Sequence, residues 1–591
     1  MKINFIKSFI CILILLVISV NSREDNDKKE GKGIFDSIRF NPFEIIFSLV
    51  KMKLMSADSD FSCTLCQRVV KAVTSTIVEK YDIDDILYHF ELICTVIFNK
   101  DVCEFYILNY GPTIFETLIV KKLNEENLCH SLGFCFDGEE VEDPYDFAIR
   151  ILKDKPKNKT KEPIDYNAPQ IKMIQFTDIH LDVHYKENAS VYCDEPVCCR
   201  TPASQYARKK SGYYGYLGCD SNLRLIETFA DKAYELQPDI IIWTGDNSPH
   251  NNLGGSIQEN YDVTVAIRDL INERFNHSVT VYPVLGNHEP FPPDKLTDDI
   301  EEIYQQYAEI YKDYFTEDQA YESFRKYGYY TEKYLDTNLR FVVLNCLLCD
   351  AFDFYITIGH HEEARQEFAW LEKVLRQAEK DGEYVYILDH FPINAEFHLT
   401  ECSKRLIAIY DRFEYIIRGY FSGHTHLDDI APIRGYFEPR PIININYIAP
   451  PLSTFNGKQP SFRQFIIDSN TKNIINYEQY RLNITDANLN KIPNWYINYY
   501  ATDKFNVTDL TDLQKIFQIN VDGDYLVQRY AEAKKPEKLI HNKKEVRKAQ
   551  CQIENDNYHD YYICAADTVF DVAYFFEFLN EISGEWALSP K

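Results

Sequence analysis

The chain has 591 residues, 45% of them hydrophobic and 14% aromatic, and a formal charge of −28 at pH 7. That length exceeds one ordinary core and implies roughly two to four domains, and the composition excludes an intrinsically disordered chain. The charge excludes nucleic acid as a partner, because phosphates need a basic surface, and it opposes anionic membranes at neutral pH; protonated carboxylates would weaken that repulsion in an acidic compartment.

The N-terminus carries Lys2 and Lys7, then the apolar run FICILILLVISV, then small polar residues at Asn21 and Ser22. This is the layout of a signal peptide over residues 1–22, with an uncleaved anchor as the alternative reading. Of 16 cysteines, Cys11 lies in that segment, and the odd number left predicts disulfides plus at least one free thiol or intermolecular bond. N-glycosylation sequons begin at Asn158, Asn188, Asn276, Asn483 and Asn506. Together these features predict an exported glycoprotein, secreted and/or lysosomal.

Residues 60–136 have their own cysteine pattern: Cys63, Cys66, Cys94, Cys103, Cys129 and Cys135. Leu65, Val69, Val73 and Ile77 recur at helical spacing, and two further amphipathic stretches follow, the second bent at Pro112. Short helices stapled by three disulfides are expected, in preference to a zinc site at the C-x2-C pair. The pattern resembles a saposin-B-type domain, set here at residues 58–140. That resemblance implies pairs Cys63–Cys135, Cys66–Cys129 and Cys94–Cys103, and apolar helix faces that open onto lipid; a closed, structural helical leaf is the other reading.

Residues 150–170, rich in Lys and Pro, read as a linker. From 171 to about 480 short apolar strands alternate with helical stretches, which predicts an α/β domain. Residues 481–591 read as a helical, aromatic C-terminal domain with a local disulfide between Cys551 and Cys564.

In the middle region each apolar strand delivers polar donors at its end. IKMIQF leads to Asp178 and His180, DIIIWT to Asp246 and His250, and VTVYPVL to Asn287, His288 and Glu289. EYVYIL leads to Asp389 and His390, and YIIRGYF to His424 and His426. Loops at the carboxyl edge of an α/β sheet converge on ligands. A set of seven oxygen and nitrogen donors without thiolate suits two divalent ions such as Zn, Fe or Mn. Glycines before several donors permit tight turns there. Any one motif has an ordinary loop reading; five in order point to a metal site.

The order D-x-H, G-D, G-N-H, lone His, G-H-x-H resembles the calcineurin-like metallophosphoesterases. The resemblance implies two central sheets flanked by helices and two divalent metal ions, with zinc expected. One ion would take Asp178, His180, Asp246 and His426, and the other Asp246, Asn287, His390 and His424, with Asp246 bridging. Family members commonly have Gly where this chain has Asp389, a side chain that could strain the turn or sit outward. By the same resemblance His250 and His288 contact the phosphate, and His288 is a candidate acid for the leaving alcohol. His184, His360 and His361 match no family position and read as non-catalytic.

The sequences YCDEPVCCR and YYGYLGCD resemble the cysteine-rich insertion of the acid sphingomyelinase family, as does the order of domains along the chain. This implies Cys193–Cys198, Cys199–Cys219 and Cys349–Cys402, with Cys346 unpaired; a vicinal Cys198–Cys199 bond and an exchange of Cys346 for Cys349 stay open. It also implies hydrolysis of sphingomyelin, in membranes or lipoprotein-like particles, to ceramide and phosphocholine through a metal-bound hydroxide. A soluble nucleotide phosphodiesterase of the sphingomyelinase-like branch is the alternative, and a lipid carrier with an inert esterase core is a third. Trp243 and Tyr282 read as core rather than as a choline-binding surface.

Overall fold

The structure, a computed structural model, describes Ile107 and residues 142–513, apart from positions 158, 194–196, 253, 298–299, 352, 354, 357–360 and 394–397. The expected signal peptide, the saposin-type cysteine pairs, Cys551–Cys564 and the Asn158 sequon lie outside the described residues. The chain divides into two compact units, residues 1–142 with 351–362 and residues 143–350 with 363–591. The elements below belong to the second.

Its frame is two six-stranded mixed sheets. The first contains β1 (Gln170–Phe176), β2 (Ile240–Trp243) and β3 (Thr280–Pro283); the second contains β4 (Tyr330–Lys333), β5 (Leu339–Val343), β6 (Tyr384–Leu388), β7 (Ile417–Ser422), β8 (Asp429–Arg434) and β9 (Ile442–Ile448). β10 (Ser461–Asp468), β11 (Ile474–Leu482) and β12 (Trp495–Tyr500) return to the first, so the orders are β12-β11-β10-β1-β2-β3 and β4-β5-β6-β7-β9-β8. β1, β2 and β3 run parallel, as do β5, β6, β7 and β9, so each sheet gathers several carboxyl ends on one edge.

Period-two alternation decides what each strand face meets. On β7, Tyr420 faces Tyr410 of α3 (Thr400–Phe413), with ring centroids 5.8 Å apart. Its neighbour Phe421 turns the other way, 5.1 Å from Phe465 of β10 and 5.1 Å from Tyr386 of β6. Tyr447 and Phe465 (5.4 Å) and the stacked Tyr282–Phe341 pair (4.0 Å) continue an aromatic layer between the sheets. Trp243 and Tyr282 are both buried, as core residues. On the outer side of the first sheet, Phe229 of α1 (Leu223–Glu235) packs on Phe176 at 4.9 Å. Side chains cap the helices: Asn222 accepts from Leu225 N–H before α1, and Ser256 from Glu259 N–H before α2 (Ile257–Phe275).

Two expected boundaries differ. The Lys/Pro-rich stretch is tied to the α/β unit rather than left as a free tether. Lys155 pairs with Asp411 at 2.5 Å, Lys161 donates to Ile443 O at 3.1 Å, and Glu162 pairs with Arg418 at 2.5 Å. The first sheet also continues past 480, because Trp495–Tyr500 alternates between buried or half-buried positions (495, 497, 499) and exposed ones (496, 498, 500) and pairs antiparallel with β11. Pro493 keeps the preceding helix (Ile484–Asn490) from running on, and the aromatic-rich run suits an edge strand. β12 is coupled to the loop after β7, since Tyr499 donates to Asp428 at 2.6 Å, as does Arg463 at 2.6 Å.

Phe421 is fully buried between the sheets. Phe421→Ala should therefore cost about 3–5 kcal/mol and lower the thermal midpoint. An unchanged midpoint in differential scanning calorimetry would mean that the two sheets do not depend on this layer.

Candidate metal centre

The loops after β1, β2, β3, β6 and β7 bring all seven expected donors into one buried cluster, in two groups. His180 Nε2 lies 3.0 Å from His426 Nε2, and His426 Nε2 lies 3.2 Å from Asp178 Oδ1. In the second group His390 Nε2 is 3.1 Å from Asn287 Oδ1, which is 3.0 Å from His424 Nδ1. Asp246 Oδ2 faces both groups, 3.7 Å from His180 Nε2 and 3.1 Å from His390 Nε2.

The backbone is bent to make this possible. Asp178, His180, Asp246, His424 and His426 all have positive φ, between 43° and 69°. This left-handed region disfavours side chains, although Asp and His tolerate it better than most, and its concentration at one site marks function. Glycine is needed for a second reason, close approach. A Cβ on Gly423 would sit 2.0 Å from Thr177 Oγ1 and 2.6 Å from Asp178 Oδ2, and one on Gly286 would sit 2.2 Å from Asp246 Oδ1. Asp389, by contrast, neither strains its turn nor sits outward. It is buried, its φ is not positive, and it accepts from Tyr420 Oη at 2.7 Å and from His390 N–H at 2.7 Å. Burial pushes its carboxyl up to about 6.

The donor set fits divalent cations. His180 and His390 donate Nδ1–H to the carbonyls of Ser248 and Thr244, both at 2.7 Å, which leaves Nε2 bare when the rings are neutral. Asn287 Nδ2 donates to Asp294 at 2.8 Å, turning Oδ1 inward. In neutral form His390 Nε2, Asp246 Oδ2 and Asn287 Oδ1 are then three acceptors with no proton among them. Such a buried cluster needs positive charge. The same deficit shows in titration: burial alone would lower His390, but the Asp246 carboxylate beside it raises it to about 10. Burial holds His424 down to about 3 and His288 to about 4, so these rings stay neutral.

His250 and His288 stand at the rim of the cluster, with the His250 ring 3.9 Å from His180 and 5.0 Å from His288. Each can supply a ring nitrogen within 4.8 Å of two other donors. His288 Nδ1 is buried without a hydrogen-bond partner. His184 is exposed and pairs with Glu259, away from the cluster.

Four contributors were not assigned from sequence. The Glu289 carboxylate accepts from the N–H groups of Gly286, Asp246 (3.2 Å) and Asn247 (2.9 Å), tying the β2 and β3 loops together. Its position directly after Asn287-His288 was the available signal. Asp294 acts on Asn287 from seven residues along the same loop, while Asp220 and Phe455 act on His250 from other segments, contacts that no local pattern reveals. Disulfides join Cys193–Cys198, Cys199–Cys219 and Cys349–Cys402, and Cys346 is the free, buried thiol among the described residues. Asn188, Asn276 and Asn506 are exposed, while Asn483 is half-buried.

Two family models match the chain: "Calcineurin-like phosphoesterase" over residues 171–428 and "Acid sphingomyelin phosphodiesterase C-terminal region" over residues 442–530. Sphingomyelin phosphodiesterase B of Dictyostelium discoideum is 27% identical over 80% of this chain and 77% of its own length. Sphingomyelin phosphodiesterase A of the same organism is 27% identical over 76% of this chain and 81% of its own. The cyclic GMP-AMP phosphodiesterase SMPDL3A of Bos taurus is 31% identical over 56% of this chain and 76% of its own.

Because Gly423 leaves no room for a Cβ, Gly423→Ala should push the His424–His426 loop off Asp178 and release bound divalent metal. The overpacking itself costs about 1–3 kcal/mol. Elemental analysis after dialysis checks this; full metal content in a folded variant would show that the close approach is dispensable.

Proposed function

The chain belongs to the acid sphingomyelinase family of calcineurin-like phosphoesterases, and from that premise we propose that it hydrolyses sphingomyelin to ceramide and phosphocholine. It is a phosphodiesterase, and the fold family implies divalent metal ions. The observation that carries the finer reading is extent. Similarity to sphingomyelin phosphodiesterase B runs over 80% of the chain, whereas similarity to the cyclic GMP-AMP phosphodiesterase runs over 56%.

In this reading Asp178, His180, Asp246 and His426 hold one ion, and Asp246, Asn287, His390 and His424 hold the second, with zinc as the proposed metal. When bound, the pair of ions supplies an activated water and stabilises charge on the phosphodiester. The chain's own groups do the rest. The Ser248 and Thr244 carbonyls keep the Nε2 atoms of His180 and His390 turned inward. His250 and His288 contact the phosphoryl oxygens, and His288, neutral in the free site because of its burial, takes up a proton when the anionic phosphodiester is bound and hands it to the departing ceramide alkoxide. Residues 58–140 act as a saposin-type domain that loosens lipid packing and raises the local concentration of catalytic sites at the surface. The protein is read as exported, secreted and/or lysosomal, and glycosylated at its sequons.

The 31% identity to the cyclic GMP-AMP phosphodiesterase favours a second reading, a nucleotide phosphodiester as substrate. One assay separates the two: phosphocholine release from sphingomyelin liposomes at mildly acidic pH, with zinc and then with chelator, beside a cyclic dinucleotide. Chelator-sensitive release is expected, and it should vanish in His426→Ala with the thermal midpoint little changed. Turnover of the dinucleotide alone would transfer the assignment to the nucleotide reading.

Deleting residues 60–136 should reduce hydrolysis of liposomal sphingomyelin far more than hydrolysis of a soluble diester. Equal losses on both substrates would make that region structural.

A further inference from the structure

The cysteine-rich insertion between β1 and α1 starts at Asp182, two residues after His180, and ends at Asp220. The disulfide Cys199–Cys219 joins two points 20 residues apart in it, and both cysteines are buried. Each is followed directly by a charged residue that reaches the metal centre's surroundings. Arg200 Nε donates to Asp182 Oδ2 at 2.9 Å. Arg200 Nη1 meets the Asn251 amide oxygen at 2.7 Å in the amide orientation that satisfies both groups. Asp220, fully buried, accepts from the His250 backbone N–H and from its Nδ1–H, both at 2.7 Å. Phe455 stacks on the same imidazole at 3.9 Å and 15°.

We infer that the insertion is a positioning element for His250, in which the Cys199–Cys219 bond locks Asp220 and Arg200 so that the imidazole presents Nε2 to the phosphodiester. Asp220 takes two hydrogen bonds from one residue, one from its backbone and one from its ring. That fixes the ring's direction and its tautomer together, as a carboxylate does behind a ligating or catalytic histidine. Arg200 clamps the residue two after His180 to the residue one after His250, so the loops following β1 and β2 move as one. The disulfide makes this clamp and the Asp220 support parts of one body. Cys193–Cys198 closes a separate loop with a sequence separation of 5. Asp220 is a positioning residue, since it acts through His250, and the inference rests on the reading of His250 as a phosphate contact.

The test uses the full chain loaded with zinc and the soluble diester bis(4-nitrophenyl) phosphate, which removes lipid access from the measurement. Asp220→Ala should lower kcat by ~10–100-fold with KM nearly unchanged and metal content equal to the parent's. Asp220→Asn, which keeps one acceptor for Nδ1–H, should recover part of the loss. The pair Cys199→Ser with Cys219→Ser should lower kcat similarly, and adding Asp220→Ala to it should cost little more, because both act through one contact. Cys193→Ser with Cys198→Ser should match the parent. The inference is overturned if Asp220→Ala keeps the parent kcat, if it loses its metal, or if the disulfide and Asp220 losses multiply. Should the disulfide variant fail to fold, the kcat-against-KM split and metal content of the two Asp220 variants decide alone. A zinc-loaded parent that turns over no diester contradicts the proposed function, whereas an active parent with an unaffected Asp220→Ala contradicts only the role of the insertion.

Discussion

One carboxylate oxygen organises the centre. Asp246 Oδ2 stands where two groups of nitrogen and oxygen donors meet, 3.1 Å from Nε2 of His390 and 3.7 Å from Nε2 of His180, both bare when the rings are neutral. Lone pairs facing one another in a buried site are unfavourable without a cation among them. Asp178 and Glu289 add two further buried carboxyl groups nearby, and burial together with Asp246 raises Glu289 to about 7. The cluster is built for more positive charge than its own side chains contribute, which is the electrostatic condition for holding divalent ions.

Holding such a cluster open has a structural cost. Five of its donors occupy left-handed backbone conformations, each costing of order ~1–3 kcal/mol in an unfavourable case. Isolated loops would relax. Here the loops leave parallel strands whose registers are fixed by neighbours on both sides. The aromatic layer of Tyr282, Phe341, Tyr386, Phe421, Tyr447 and Phe465 holds the sheets face to face. Much of the high aromatic content is thereby spent on rigidity beneath the site.

A second ring of contacts converts that rigidity into chemical direction. Carbonyl oxygens of Ser248 and Thr244 select the tautomers of His180 and His390, Asp294 selects the orientation of Asn287, and Asp220 selects that of His250. Glu289 binds three backbone N–H groups and couples the loops after β2 and β3. The loop after β9 reaches back as well, with Leu452 and Ser453 donating to the carbonyls of Thr177 and Asp178. The donors are therefore constrained from outside the motifs that contain them.

Those motifs were legible because they are local: a strand's apolar run and the donors after it are contiguous, and the strand period sets where they emerge. The five strand ends and the seven donors could be read from the chain in order, whereas their division into two groups was implied only by the resemblance to the calcineurin-like family. What the sequence could not determine was contact between distant segments. Asp220 and His250 are 30 residues apart, Asn287 and His390 more than a hundred, and only the crossing of parallel strands makes them neighbours. The same limit misplaced Trp495–Tyr500, whose aromatics read as helical until pairing with β11 made them an edge strand. It also made Asp389 look like a defect, since its partner Tyr420 comes from the next strand. Residue type and spacing determined what chemistry the chain carries. Tertiary packing alone decided how each donor is aimed, because orientation depends on the carbonyls, carboxylates and rings that surround a side chain in space.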